Sequence, residues 1–164
     1  LWVAVGEGTN TMAYSYDGIN WTGLEDTIFS SAGHGVAWNG ELWVAVGIGS
    51  TDTIAYSSDG INWTGLGNTI FSVYGFGVAW NGKLWVAVGE GTNTIAYSSD
   101  GITWTGLEDT IFSTAGQGVG GNSGIGATVV ESQMVLNSNL DVVADSYYDK
   151  SFSNFSAKFE VITN

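Results

Sequence analysis

Apolar and polar positions along this chain recur in blocks. The run LWVAVG begins at Leu1, Leu42 and Leu84, giving a period of 41 and then 42 residues, and the extra residue sits in GIGSTDT where the other copies read GEGTNT. LWVAV is apolar throughout, which predicts a strand covered on both faces by neighbouring sheets. Two hairpin signals mark each block. Asn39-Gly40 and Asn81-Gly82 separate GVAW from LWVAVG, and Asp17-Gly18, Asp59-Gly60 and Asp100-Gly101 separate the AYS run from the run ending in Trp-Thr-Gly. Both dipeptides favour two-residue turns with positive φ, whose twist matches that of the flanking strands. One repeat is therefore read as four short antiparallel strands, and a segment such as GLGNTIFSVYGFG carries the chain to the next copy. Copies one and three differ mainly at Met12/Ile95, Tyr16/Ser99, Asn20/Thr103, His34/Gln117 and Trp38/Gly121.

Four-stranded units of about 40 residues have the size of a β-propeller blade, and propellers close with roughly 4 to 8 of them. Three copies are present, and the chain begins inside a unit, at its second strand. The expected fold is all-β: four-stranded antiparallel repeat units forming part of a β-propeller, with a small C-terminal β segment. The chain reads as a segment of a longer protein, or as one that completes its ring by association. The alternative is a closed threefold β-trefoil or β-prism, in which GVGGN at 118–122 supplies the missing first strand beside LWVAV at the N-terminus. The repeats are placed at 1–41, 42–83 and 84–118, followed by a Gly-rich linker at 119–126 and a C-terminal β-strand segment at 127–164. In that last segment Phe155, Ala157, Phe159 and Val161 alternate with polar residues, the pattern of a half-buried strand.

Composition narrows the function. Sixteen Asp plus Glu face three Lys and no Arg, a formal charge of -13, so nothing neutralises phosphates and nucleic-acid binding is excluded as an expectation. The same imbalance disfavours an anionic membrane surface, and no apolar run approaches the ~20 residues of a membrane span. The chain is expected to be soluble, without membrane insertion. Cys is absent and His34 is the only His, so neither a Cys-ligated nor a His-pair metal site is available. No metal or cofactor is expected. GQGVGG at Gly116–Gly121 matches G-x-G-x-x-G by chance in a chain with 25 Gly, since no strand-turn-helix context follows it. Asn20-Trp-Thr22, Asn62-Trp-Thr64 and Asn154-Phe-Ser156 fit the glycosylation triplet, which Thr103 abolishes in the third copy.

The second hairpin carries the most specific motif. It reads SYDGINW (Ser15, Asp17, Gly18, Trp21), SSDGINW (Ser57, Asp59, Gly60, Trp63) and SSDGITW (Ser98, Asp100, Gly101, Trp104). Ser-x-Asp-Gly-x-x-Trp resembles the Asp-box (BNR) repeat of sialidase-like and sortilin-like β-propellers, with one residue fewer between Asp and Gly than the commonest form. The resemblance covers residues 1 to about 118. It implies a structural box, in which Asp and Ser bond backbone amides of the turn and Trp packs between strands. Elementary chemistry agrees, because an Asp before Gly can satisfy its own turn's N–H groups and a Trp in each unit supplies large apolar area.

Activity is not expected to follow. Sialidases hold the substrate carboxylate through an Arg cluster, and this chain has no Arg. A Ser-His-Asp arrangement would depend on His34 alone, whose counterparts are Phe76 and Gln117. Positions that vary between copies, His34/Phe76/Gln117 and Ala32/Tyr74/Ala115 among them, are assigned to inter-unit segments and make His34, Tyr74, Phe76 and Gln117 candidate recognition-loop residues. The expected function is a non-catalytic structural or interaction module of an extracellular or virion surface protein, similar to Asp-box arrays of large bacterial surface proteins and, in overall flavour, to structural proteins of large DNA viruses. Its partners would be other protein chains or further repeats of the same protein. The alternative is a glycan-binding, lectin-like module with one shallow site per repeat.

Overall fold

A computed structural model describes residues 1–122. The C-terminal β-strand segment expected at 127–164, and the linker from residue 123 onward, lie outside the described residues. Among the described residues there are eleven strands and no helix. β1 (Trp2–Val5), β2 (Met12–Ser15) and β3 (Thr22–Gly23) form a three-stranded antiparallel sheet. β4 (Ala32–Trp38), β5 (Trp43–Ile48), β6 (Ile54–Ser57) and β7 (Thr64–Gly65) form a second, in that order. β8 (Tyr74–Trp80), β9 (Trp85–Glu90), β10 (Ile95–Ser98) and β11 (Thr105–Gly106) form a third with the same register. Among the described residues none of the three closes on itself and β1 has β2 as its only strand neighbour, so Gly118–Asn122 does not supply the first strand that the threefold alternative requires.

Period-two alternation explains how the sheets stack. On β5, Val44 and Val46 turn to one face and join Ile54, Phe71, Val78, Trp85, Ala87 and Ala96 in the larger core, between the second and third sheets. Ala45 turns to the other face and joins Met12, Phe29 and Ala55 in a smaller core against the first sheet. The apolar run is thus covered on both sides, as its composition predicts. Val44 and Val46 pack with the small Ala87 and Ala96 of the third sheet, so the facing sheets interdigitate. The strands that begin each complete sheet also pack on one another: β4 touches β1 and β8. A Cβ on Gly35 would lie 3.2 Å from the Cα of Gly77, and one on Gly77 would lie 3.4 Å from the Cα of Gly118.

Three expectations are corrected. The hairpin turns are longer than two residues. Trp38 pairs with Trp43, leaving a four-residue loop in which the Asn39 carboxamide oxygen accepts from the Glu41 and Leu42 N–H groups. Gly40 has φ 105°, but Asn39 does not have positive φ, so the type with two left-handed residues is not formed. The Asp-Gly turns likewise span the whole interval from β2 to β3 and from β6 to β7. Secondly, His34, Tyr74 and Phe76 are strand residues of β4 and β8, not loop residues. Their Gly-rich context reads as loop, yet these glycines admit close neighbours: a Cβ on Gly33 would stand 2.7 Å from the Val5 Cβ. Register shifts mark a bulge at Gly33/Gly35 and at Gly75/Gly77. Thirdly, the tryptophans are not uniformly core. Trp85 is fully buried, Trp63 and Trp104 are half-buried, and Trp2 and Trp21 are 62% and 46% exposed.

Candidate functional site

The Asp-Gly turn is built three times from the same bonds. In the second copy the Ser57 hydroxyl, buried at the end of β6, accepts from the Asp59 and Gly60 N–H groups at 3.3 and 2.9 Å and donates to Asp59 Oδ1 at 3.0 Å. Asp59 Oδ1 also accepts from the Ile61 and Asn62 N–H groups, and Oδ2 accepts from Asn62 Nδ2 at 2.8 Å. Trp63 Nε1 donates to the Gly60 carbonyl. Ser15, Asp17, Gly18, Asn20 and Trp21 repeat every one of these bonds. Ser98, Asp100, Gly101 and Trp104 repeat all but the side-chain amide bond, because Thr103 replaces Asn. Glycine is required at the position after Asp, where φ is 73–77°.

These bonds set the carboxylates' protonation. The Asn20 backbone N–H, then the Asn20 side chain, hold the Asp17 carboxyl well below the usual range. At Asp59 the Asn62 side chain leads and its backbone N–H follows, with the same direction. Asp100 is lowered to about 2 by the backbone N–H groups of Thr103 and Ile102. A general acid needs the opposite shift, a carboxyl kept protonated near neutral pH. The box carboxylates are exposed, ionised and committed to their own turns.

A second repeated clamp carried no motif in the sequence reading. Asn10, Asp52 and Asn93 each accept a backbone N–H across the sheet, from Glu25, Gly67 and Glu108 respectively. Thr11, Thr53 and Thr94, all buried, donate their hydroxyls to the carbonyls of the same three residues. The acceptors stand at positive φ: Glu25 62°, Gly67 78°, Glu108 60°. The recurrence of Asn or Asp before Thr in each copy is the signal that could have found this clamp.

Of the candidate recognition residues, three come together. His34 stacks on Phe76 with ring centroids 5.3 Å apart and planes 6° from parallel, and Tyr74 lies 5.7 Å from Phe76. His34 Nδ1 donates to the Gly75 carbonyl at 3.0 Å, since a carbonyl can only accept. Gln117 occupies the equivalent position beyond β11 and is exposed. His34 thus belongs to a ladder between neighbouring strands, with a backbone oxygen and a phenyl ring as its partners. Two concavities lie between sheets. A cleft of about 80 Å³ is lined by Met12, Leu24, Glu25, Thr27, Ile28, Ile61 and Trp63. An open groove runs between the Asn39–Leu42 turn and the Ser99, Asp100 and Ile102 turn, with Trp80 among the residues that line it. Among the described residues, no three His, Cys, Asp or Glu side chains converge on a point where a metal ion could sit. No protein-family model and no curated protein matches this chain.

Proposed function

We propose that this chain is a non-catalytic structural and interaction module, built from Asp-box blades of an open β-propeller and belonging to an extracellular or virion surface protein. One observation carries the reading: in each of the three copies of the Ser-Asp motif the Ser hydroxyl and the Asp Oδ1 are engaged by their own turn. A site that performs chemistry leaves at least one such group free to face a substrate. The propeller assignment is supported by three consecutive sheets of like strand order, stacked through the strands that begin them. Scaffolds of this kind present surfaces, and the binding function resides in their faces and edges.

The lectin-like alternative draws support from the open groove, where Trp80 lies beside Asn39, Ser99 and Asp100, an aromatic face next to polar groups of the kind that bind sugars. A glycan array probed with the full chain separates the two readings. The structural module gives no saturable binding to any sugar. Saturable binding that is lost in Trp80→Ala, with folding retained, would replace it by the lectin.

A further inference from the structure

We infer that the two Asn-Gly turns, Asn39-Gly40 and Asn81-Gly82, are sites of spontaneous covalent modification, converting through a cyclic imide to aspartate and isoaspartate, while the fold shields the three Asp-Gly turns from the same reaction. The inference goes beyond the interaction-module reading and does not depend on it. It starts from a difference between turns that are written almost alike. Each of the five Asn-Gly and Asp-Gly bonds in the chain joins a short amide or carboxyl side chain to a glycine, which puts no side chain in the way of ring closure. What separates them is how the glycine N–H and the side-chain oxygen are held.

In the Asp-Gly turns the glycine N–H is occupied. Gly18, Gly60 and Gly101 donate to the Ser15, Ser57 and Ser98 hydroxyls at 2.8, 2.9 and 2.8 Å. The nitrogen that would have to attack the carboxyl carbon is thus engaged by a serine oxygen. The carboxylates are also held ionised by the N–H groups around them, and an ionised carboxylate resists attack because it would have to expel oxide. The Asn-Thr pairs of the cross-sheet clamp are closed in a similar way, with the Thr11 and Thr94 N–H groups donating to the Glu25 and Glu108 carbonyls at 3.0 and 2.9 Å.

The Asn-Gly turns reverse this arrangement. Asn39 Oδ1 accepts from the Glu41 and Leu42 N–H groups at 2.8 and 2.6 Å, and Asn81 Oδ1 accepts from those of Lys83 and Leu84 at 3.0 and 2.7 Å. The Gly40 and Gly82 N–H groups enter no hydrogen bond among the described residues. A bond from Oδ1 to the amide two residues on folds the carboxamide back over the intervening peptide, which brings Cγ to the side of the glycine nitrogen. A Cβ on Gly40 would meet nothing within 4 Å, so the ring has room to form. As Gly40 N attacks Asn39 Cγ, negative charge gathers on Oδ1, where the two N–H donors already stand at oxyanion-hole spacing. The bond from Gly40 N to Cγ forms and the bond from Cγ to Nδ2 breaks. The proton lost by Gly40 leaves with Nδ2 as ammonia, relayed by solvent. Water then adds to either carbonyl of the ring and opens it, with no change of oxidation state. Each product carries a carboxylate where a neutral amide stood, on a turn that forms one wall of the open groove beside Asp100. The isoaspartate form also routes the main chain through the side-chain carboxyl, between strands whose Trp38 and Trp43 rings pack 4.9 Å apart.

Incubation of the full chain at mildly alkaline pH tests this, read by proteolytic peptide mapping with chromatographic separation of isoaspartate and mass spectrometry. The same chain unfolded in urea is the reference, since conversion there reports local sequence alone. In the folded chain Asn39 and Asn81 are expected to convert at least as fast as in urea, and Asp17, Asp59 and Asp100 at least about tenfold more slowly. Ser57→Ala frees the Gly60 N–H and should speed conversion at Asp59 about tenfold, with Asp17 and Asp100 of the same molecules unchanged. Ser57→Thr, which keeps the hydroxyl, should leave Asp59 protected. Folding that protects Asn39 or Asn81 about tenfold or more overturns the inference. Asp-Gly turns that convert equally fast folded and unfolded, or a Ser57→Ala chain in which Asp59 converts no faster, overturn it equally.

Discussion

At the scale of single residues, the repeats supply their own controls. Glu25 and Glu108 hold a left-handed backbone that Gly67 adopts freely at the equivalent position, and a Cβ on Gly67 would meet nothing within 4 Å. The difference is therefore conformational and not steric. Gly67→Ala is expected to destabilise by about 1 kcal/mol, the left-handed penalty exceeding the gain from a stiffer unfolded chain. Glu25→Gly should stabilise by up to about 1 kcal/mol, and chemical denaturation of the two variants checks both signs. The box carboxylates give a second residue-scale prediction. Their folded pKa values lie below the ordinary 3.8, with Asp100 at about 2, so the folded state binds protons less readily than the unfolded chain. The stability they contribute is complete above about pH 4 and is lost as the pH falls through the folded values. Denaturation midpoints should drop between pH 4 and 2, and Asp59→Asn should flatten that limb. An unchanged limb would mean that the bonds to Asp59 do not hold its charge.

At the scale of elements, identical sequence meets unequal surroundings. Trp85 on β9 is fully buried, and Trp85→Ala is expected to cost ~3–5 kcal/mol, as a large side chain removed from a core does. Trp21→Ala removes a side chain that is 46% exposed and should cost less than half as much. Glycines of the strands behave in the same positional way. A Cβ on Gly75 would lie 2.7 Å from the Thr53 carbonyl and from the Val46 Cβ, whereas one on Gly118 would meet nothing within 4 Å. Gly75→Ala should therefore cost ~1–3 kcal/mol by overpacking, and Gly118→Ala should leave thermal stability nearly unchanged. These elements also explain what the sequence revealed. LWVAV and AYS were legible because short apolar runs bounded by turn signals are too short for a helix, and the Asp-Gly motif was legible because short polar side chains before glycine cap their own turns. Turn lengths were not. Asn39 and Asp17 bond amides two and three residues on, which lengthens the loop beyond the dipeptide that advertises it. The strand nature of Ala32–His34, ahead of the GVAW run, was hidden as well, because glycines that admit a neighbouring sheet look the same in sequence as glycines that make a loop. Tryptophan burial depends on whether a further sheet lies beyond, which no local pattern states.

At the scale of the whole molecule, one sheet-on-sheet contact is made twice among the described residues, and it covers the second sheet on both faces while Trp2 of the first stays 62% exposed. Stability should therefore be graded along the chain, as in repeat proteins where each unit depends on its neighbours. The three LWVAV strands are the natural probe, since their intrinsic exchange chemistry is the same and only their surroundings differ. Val44–Val46 are fully buried, while among the described residues β1 pairs with β2 alone and its Trp2 is 62% exposed. Hydrogen exchange of the full chain, followed strand by strand, reads this directly. The amides of β1 should exchange at least about tenfold faster than those of β5. Equal protection of β1 and β5 would contradict the account.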